Sequence, residues 1–232
     1  MAFVMAFVME SATEGGAMSS ASPQIREARD WSRIGLWLVA ATLVYNVVEG
    51  VIALTAGALA ESIALFGFGL DSLIEVAAAG ALLWRLAVEA RGREGEALER
   101  TERTVHRFIG ATFIALALYV TGQAGWTLWA GTVPQESLVG ILLAGASLVI
   151  MPAIAWGKLR AAREIGSAAL RAEAKETLAC SYLSFALLLG LAANAWLGWW
   201  WADPTAALLM VPWLVREGQE GLRGESCAES CG

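Results

Sequence analysis

The stretch "GFGLDSLIEV", residues 67–76, sets Asp71 and Glu75 four residues apart inside a long apolar run. Upstream the run reads "AGALAESIAL", with little that water would stabilise. Two acids in such a setting need a physical reason, and the rest of the chain supplies one.

Over all 232 residues, 57% are hydrophobic and 16% charged, with a mean hydropathy of +0.58. An ordinary soluble domain carries about 25% charged residues. The composition therefore points to a membrane protein. A bilayer core of about 30 Å needs roughly 20 apolar residues of helix. Six stretches qualify, near 33–57, 59–86, 104–130, 136–157, 173–201 and 205–219, the last being the shortest. Short turn segments such as "AGTVPQES" and "WWWADPTA" separate some of them. "EARGREGEALERTER" and "KLRAAREIGS" read as longer, charged loops. The expected fold is all-α, an integral membrane protein of six transmembrane helices.

The sixteen Lys and Arg residues fall into four groups. Arg26, Arg29 and Arg33 precede the first span. Arg85, Arg91, Arg93, Arg100, Arg103 and Arg107 surround the second-to-third loop. Lys158, Arg160, Arg163, Arg171 and Lys175 surround the fourth-to-fifth, and Arg216 and Arg223 close the chain. The other three loops carry none. By the positive-inside rule both termini and the two longer loops are expected in the cytoplasm, which requires an even number of spans. A multi-pass protein of a bacterial inner membrane is the expected localisation, with the lipid bilayer as its solvent. Trp126, Trp129 and Trp199–Trp201 fall at expected outer ends; Trp31, Trp37, Trp84 and Trp156 fall towards inner ends. Interfacial anchoring accounts for all of them.

The domain reading has three parts. Residues 1–30, opening on the tandem "MAFVMAFV", form a disordered leader or a mis-assigned start, with Met18 a candidate initiator. Residues 31–221 form the transmembrane domain, and 222–232 a short tail carrying Cys227 and Cys231. No cysteine lies in an expected outer loop, so a disulfide framework is not expected. No nucleic-acid partner, enzymatic activity or permanently bound cofactor is expected either.

A charge at the bilayer centre costs roughly 2.5–3.5 kcal/mol on insertion scales. Intramembrane polar residues are therefore the strongest functional signal. The second span holds Asp71 and Glu75, the fifth Glu176 and Cys180 in "RAEAKETLACSYLS", and the first Asn46 and Glu49 in "YNVVEG". Residues four apart share a helix face, with Cβ atoms about 6 Å apart. Two such pairs on facing helices present four ligands, the number a tetrahedral divalent ion takes. The ion would remove both the mutual repulsion of the acids and their desolvation cost, and protons could do so when it leaves. Asp71, Glu75, Glu176 and Cys180 are the candidate metal ligands. An isolated intramembrane acid can instead be a protonated residue bonded to a neighbouring helix, and Cys180 can be a small apolar filler. Glu49 reads as reaching the outer interface. Asn46, Gln123 and Asn194 read as interhelical hydrogen-bond glue. Glu61 and Asp203 read as acids at outer ends, with Asp203-Pro204 a helix start, and His106 reads as interfacial.

These residues resemble the cation diffusion facilitator (cation efflux) family. "AGALAESIALFGFGLDSLIEV" is similar to its second helix and "LRAEAKETLACSYLSFALLLGL" to its fifth. "NVVEGVIALTAG" is similar to its first and "WADPTAALLMVPWLVREG" to its sixth. The resemblance covers about residues 33–219 and implies a metal site built by paired residues on the second and fifth helices. It also implies proton-coupled efflux of a divalent cation from the cytoplasm. The family pattern has His or Asp at the first position of each pair and Asp at the second. Here the second helix carries Glu75 at that second position, and the fifth carries Glu176 and Cys180. The family's usual C-terminal cytoplasmic domain is not seen, so any homodimer would form through membrane helices. A thiolate favours zinc or cadmium over oxygen-preferring ions. Zinc is the expected cargo, with Cd²⁺, Fe²⁺ and Co²⁺ as alternatives. Two other readings stand beside transport. One is a membrane metal sensor that binds without moving its cargo. The other is an intramembrane acid hydrolase, suggested by "GFGLDS", although Leu70 separates the glycine from Asp71.

Overall fold

The computed structural model describes residues 23–89 and 96–223. These form six helices: α1 (Pro23–Ala60), α2 (Ile63–Glu89), α3 (Glu96–Ala130), α4 (Leu138–Ile165), α5 (Ala168–Leu197) and α6 (Ala202–Arg223). The described residues contain no strand. Residues 1–22 of the expected leader and 224–232 of the expected tail lie outside them.

The all-helical expectation holds. Five helices are long and apolar enough to cross a bilayer, the qualifying segments being Asp30–Ala60, Ile63–Gly80, Arg107–Ala130, Leu138–Ile165 and Glu173–Leu197. α6 does not qualify on hydropathy. At about 1.5 Å per residue its 22 residues still span roughly 33 Å, and it packs along α3 and α5. Its charged residues sit mainly in its last turns, Arg216, Glu217, Glu220 and Arg223 among them.

The helices outrun the apolar stretches. "KLRAAREI", expected as loop, continues α4 to Ile165. Its Lys, Leu, Arg, Ala and Glu are strong helix formers, and nothing stops the helix until Gly166, whose φ of 68° gives it a left-handed cap. Only Gly166 and Ser167 separate α4 from α5, and the Ser167 hydroxyl accepts from the Leu170 amide to start the new helix. The outer turn between α1 and α2 is equally tight. Glu61 takes a φ of 53°, and the Ser62 amide donates back to the Gly57 carbonyl at 3.0 Å.

α1 packs on α2 and α4, α3 on α2 and α6, and α5 on α4 and α6. α2 and α5 meet more sparsely at the centre. Phe68, Leu65, Val120, Met151, Leu183, Leu187, Met210 and Leu214 fill the core, one contribution or more from each of α2 to α6. The outward faces are as apolar as the core: Leu59, Phe108, Leu118, Val149 and Trp156 are all exposed. In water that surface would drive association; in lipid it is the solvated surface. Exposed Trp126, Trp129, Trp199 and Trp201 cluster at the end where α2, α4 and α6 begin.

α1 and α2 approach closely because glycine removes the side chain at the contact. A Cβ at Gly57 would lie 2.6 Å from the Phe66 amide nitrogen, and one at Gly69 2.8 Å from that of Leu54. This antiparallel register carries through to the polar pairs: Asn46 meets Glu75, and Glu49 meets Ser72. The position numbers of the two pairs have the same sum, as an antiparallel pairing requires.

Candidate metal-binding site

Asp71 and Glu75 fall one turn apart at the middle of α2, and Glu176 and Cys180 one turn apart on α5. Asp71 is 1% exposed, and neither of its carboxylate oxygens has a hydrogen-bond partner. Glu75 is half-buried and accepts a 2.8 Å bond from the Asn46 amide nitrogen on α1. Glu176 is half-buried, and Cys180 is fully buried with its thiol against the Glu75 carboxylate. Electrostatically, Glu75 interacts with Asp71 and Glu176, and Cys180 with Glu75 and Asp71. The two pairs therefore face one another across the α2–α5 contact. Cys180 also belongs to the hydrophobic core cluster, so its burial alone fits both a ligand and a filler. Among the described residues no three His, Cys, Asp or Glu side chains converge closely enough to hold an ion as they stand.

Several residues differ from their sequence reading. Glu49 does not reach the interface. It lies 11 residues before the end of α1, is 1% exposed, and accepts hydrogen bonds from Ser72 on α2 and Ser147 on α4. Ser147 is in turn bonded to the Tyr45 hydroxyl at 2.7 Å. Lys158 is not a loop cation. It sits inside α4, 0% exposed, and donates to Glu173 at 3.1 Å and Thr177 at 2.9 Å on α5. Asp203 does begin α6, but it is buried. Its carboxylate accepts from the Ser62 hydroxyl and from the Ile63 amide at 3.0 Å, capping α2 from the first turn of α6. The N-termini of α2 and α6 meet at this carboxyl, where helix dipoles favour an acid. Asn194 does act as glue, donating to the Pro134 carbonyl at 3.1 Å and tying the α3–α4 loop to α5. Gln123 lies exposed on α3. The side chain of His106 lies outside those described.

Glu217 on α6 carried no sequence signal, yet it interacts electrostatically with both Asp71 and Glu176. Acids from α1, α2, α5 and α6 thus surround one region: Glu49, Asp71, Glu75, Glu173, Glu176 and Glu217. Lys158 is the cation that interacts with Glu176 there, and it is already paired with Glu173. Acids exceed cations in the interior of a lipid-facing bundle. Intramembrane acids of this kind are rare and commonly mark ion or proton pathways.

The fold and this interior define a polytopic membrane protein with a cluster of acids among its helices. The sequence profile of the cation efflux transmembrane domain matches residues 39–218. The chain belongs to the cation efflux family, whose members move cations across membranes. It is also 27% identical over 158 residues to an uncharacterized transporter of Synechocystis. That match covers 67% of this chain and 51% of the relative, so the chain spans about half the length of the curated relative it matches.

Proposed function

We propose that this protein exports a divalent transition-metal cation from the cytoplasm, zinc foremost, in exchange for protons. The ion is held by Asp71 and Glu75 of α2 and by Glu176 and Cys180 of α5. The observation that carries this reading is the Asp71 carboxylate, buried in a lipid-facing bundle with both oxygens unpartnered. A buried charge of that kind is stable only when a cation or a proton occupies it. Glu75 interacts electrostatically with Asp71 and Glu176, and the Cys180 thiol with Glu75 and Asp71, so the four side chains share one interior region. As they stand the four side chains do not close on an ion, so binding requires α2 and α5 to draw together there. Cadmium shares zinc's affinity for the thiolate, and iron(II) and cobalt(II) suit the three carboxylates.

The basic residues support an orientation with both termini in the cytoplasm. α1, α3 and α5 begin, and α2, α4 and α6 end, at the end of the bundle that carries Arg33, Arg107, Arg160, Arg163, Arg171 and Arg216. In a bacterial inner membrane that end faces the cytoplasm. Metal loads there onto ionised acids. Protons arriving from outside promote its release, because both compete for the same oxygens. Uptake by inside-out vesicles carrying the protein tests the reading, with Asp71→Asn and Glu176→Gln as controls. Wild-type vesicles should accumulate zinc and both variants should not. Binding without accumulation would make the protein a sensor, and equal accumulation by all three would remove these acids from the path.

A further inference from the structure

The Asn46 amide is oriented by its partner. Glu75 offers a carboxylate oxygen 2.8 Å away, and an ionised carboxylate there turns the amide N–H₂ towards α2. Its own oxygen then points elsewhere, and nothing meets it. Asn46 is 4% exposed, and its Oδ1 is buried without a partner. Among the described residues, the buried side-chain atoms left without a hydrogen bond are Asn46 Oδ1 and the two carboxylate oxygens of Asp71. All three are acceptors. An amide oxygen and nitrogen are about 2.3 Å apart by covalent geometry, so Oδ1 lies within roughly 5 Å of the Glu75 oxygen that the amide binds. Asp71 is one turn from Glu75 on the same face of α2.

A residue serving only as glue has no reason to leave an acceptor orphaned. Asn194, also buried, leaves none. The three orphaned acceptors lie on the two helices that Glu75 and Asn46 join, and one shared cation would satisfy all of them. A divalent cation does so, and amide oxygen is a good ligand for the harder divalent ions.

We propose that Asn46 of α1 is a further metal ligand, its amide oxygen joining the α2 and α5 ligands so that the cargo ion is held by more than four donors from three helices. This rests on the metal-transport reading above and adds a determinant of selectivity to it. Zinc is content with four donors, whereas manganese(II), iron(II) and cobalt(II) accept five or six, mostly oxygen. The Asn46 oxygen widens the cargo range towards those ions. The α1–α2 register holds this ligand in place, because Glu49 and Ser72 fix the next turn of the same contact.

Two substitutions separate ligation from propping. Asn46→Ala removes both the oxygen and the N–H₂ that holds Glu75. Asn46→Asp keeps an oxygen and removes the N–H₂. The purified full chain is titrated with Co²⁺ and Mn²⁺, with Co²⁺ followed by its visible d–d absorption. The wild type should give the weak bands of a five- or six-coordinate ion. Asn46→Ala should give the intense bands of a tetrahedral ion and lose Mn²⁺ affinity by about tenfold or more, the scale seen when a ligand shell is damaged. Asn46→Asp should keep the weak bands and an Mn²⁺ affinity near that of the wild type. If Asn46→Asp is as damaging as Asn46→Ala, Asn46 only props Glu75 and the proposal fails. It also fails if Asn46→Ala leaves both the bands and the Mn²⁺ affinity unchanged. Co²⁺ binding that is unaffected by Asp71→Asn would instead overturn the α2–α5 site itself.

Discussion

Lys158 offers a quantitative handle on the bundle. Its ammonium is 3.1 Å from a Glu173 oxygen, and both side chains are buried or nearly so. At an effective dielectric of about 20, two unit charges at that distance attract by about 5 kcal/mol. Desolvating the two ions costs several kcal/mol each, so the intact pair contributes little net stability. Breaking it is another matter. Lys158→Met leaves the Glu173 carboxylate buried beside the acids of α2 and α6, and the expected loss is about 3–5 kcal/mol. Glu173→Met strands the ammonium and should cost a similar amount. The double substitution Lys158→Met with Glu173→Met removes both charges together and should cost less than either single change. Unfolding in mixed micelles by SDS titration, followed by tryptophan fluorescence, measures all three variants. The reasoning is refuted if the single losses are additive, with a coupling below about 0.5 kcal/mol. Lys158 would then be hydrated rather than locked between α4 and α5.

Asp203→Ala leaves the Ser62 hydroxyl and the Ile63 amide without their acceptor, and should destabilise by about 1–3 kcal/mol in the same assay; an unchanged midpoint would mean α2 is not capped from α6. Gly57→Val places atoms against the Phe66 backbone and should cost about 1–3 kcal/mol by overpacking, with a silent substitution showing that α1 and α2 are farther apart. Apparent metal affinity should fall as pH drops, because protons and metal compete for the same oxygens; equal affinity at mildly acidic and neutral pH argues against carboxylate ligands. Deleting the residues after Gly224 should leave transport at saturating metal unchanged, and a loss would give Cys227 and Cys231 a role in it.

The helices were legible because apolar runs and turn residues are local signals. Their ends were less so. "KLRAAREI" looks like loop to a reading tuned to hydropathy, but its residues propagate a helix well beyond the apolar stretch. The i, i+4 spacing of Asp71 with Glu75 and of Glu176 with Cys180 was also local, and it led to the site hypothesis directly. What the sequence hid was partnership at a distance. Glu49 is buried because Ser147, 98 residues later, reaches it, and Asp203 because Ser62, 141 residues earlier, does. Lys158 passed as one more inner-loop cation, since only the packing of α4 on α5 shows that Glu173 and Thr177 enclose it. Asn46 was recognised as polar glue, but its orphaned oxygen follows from the Glu75 contact and has no trace in composition or period.

The metal site itself is tested most directly by the zinc content and zinc K-edge absorption of the purified protein, truncated after Gly224 to exclude the tail cysteines. The account predicts one ion per chain, with oxygen neighbours at about 2.0–2.2 Å and a sulfur at about 2.3 Å. The sulfur should vanish in Cys180→Ala, and the ion should be lost in Asp71→Asn and Glu176→Gln. Zinc that stays bound with unchanged neighbours in both acid variants would contradict it.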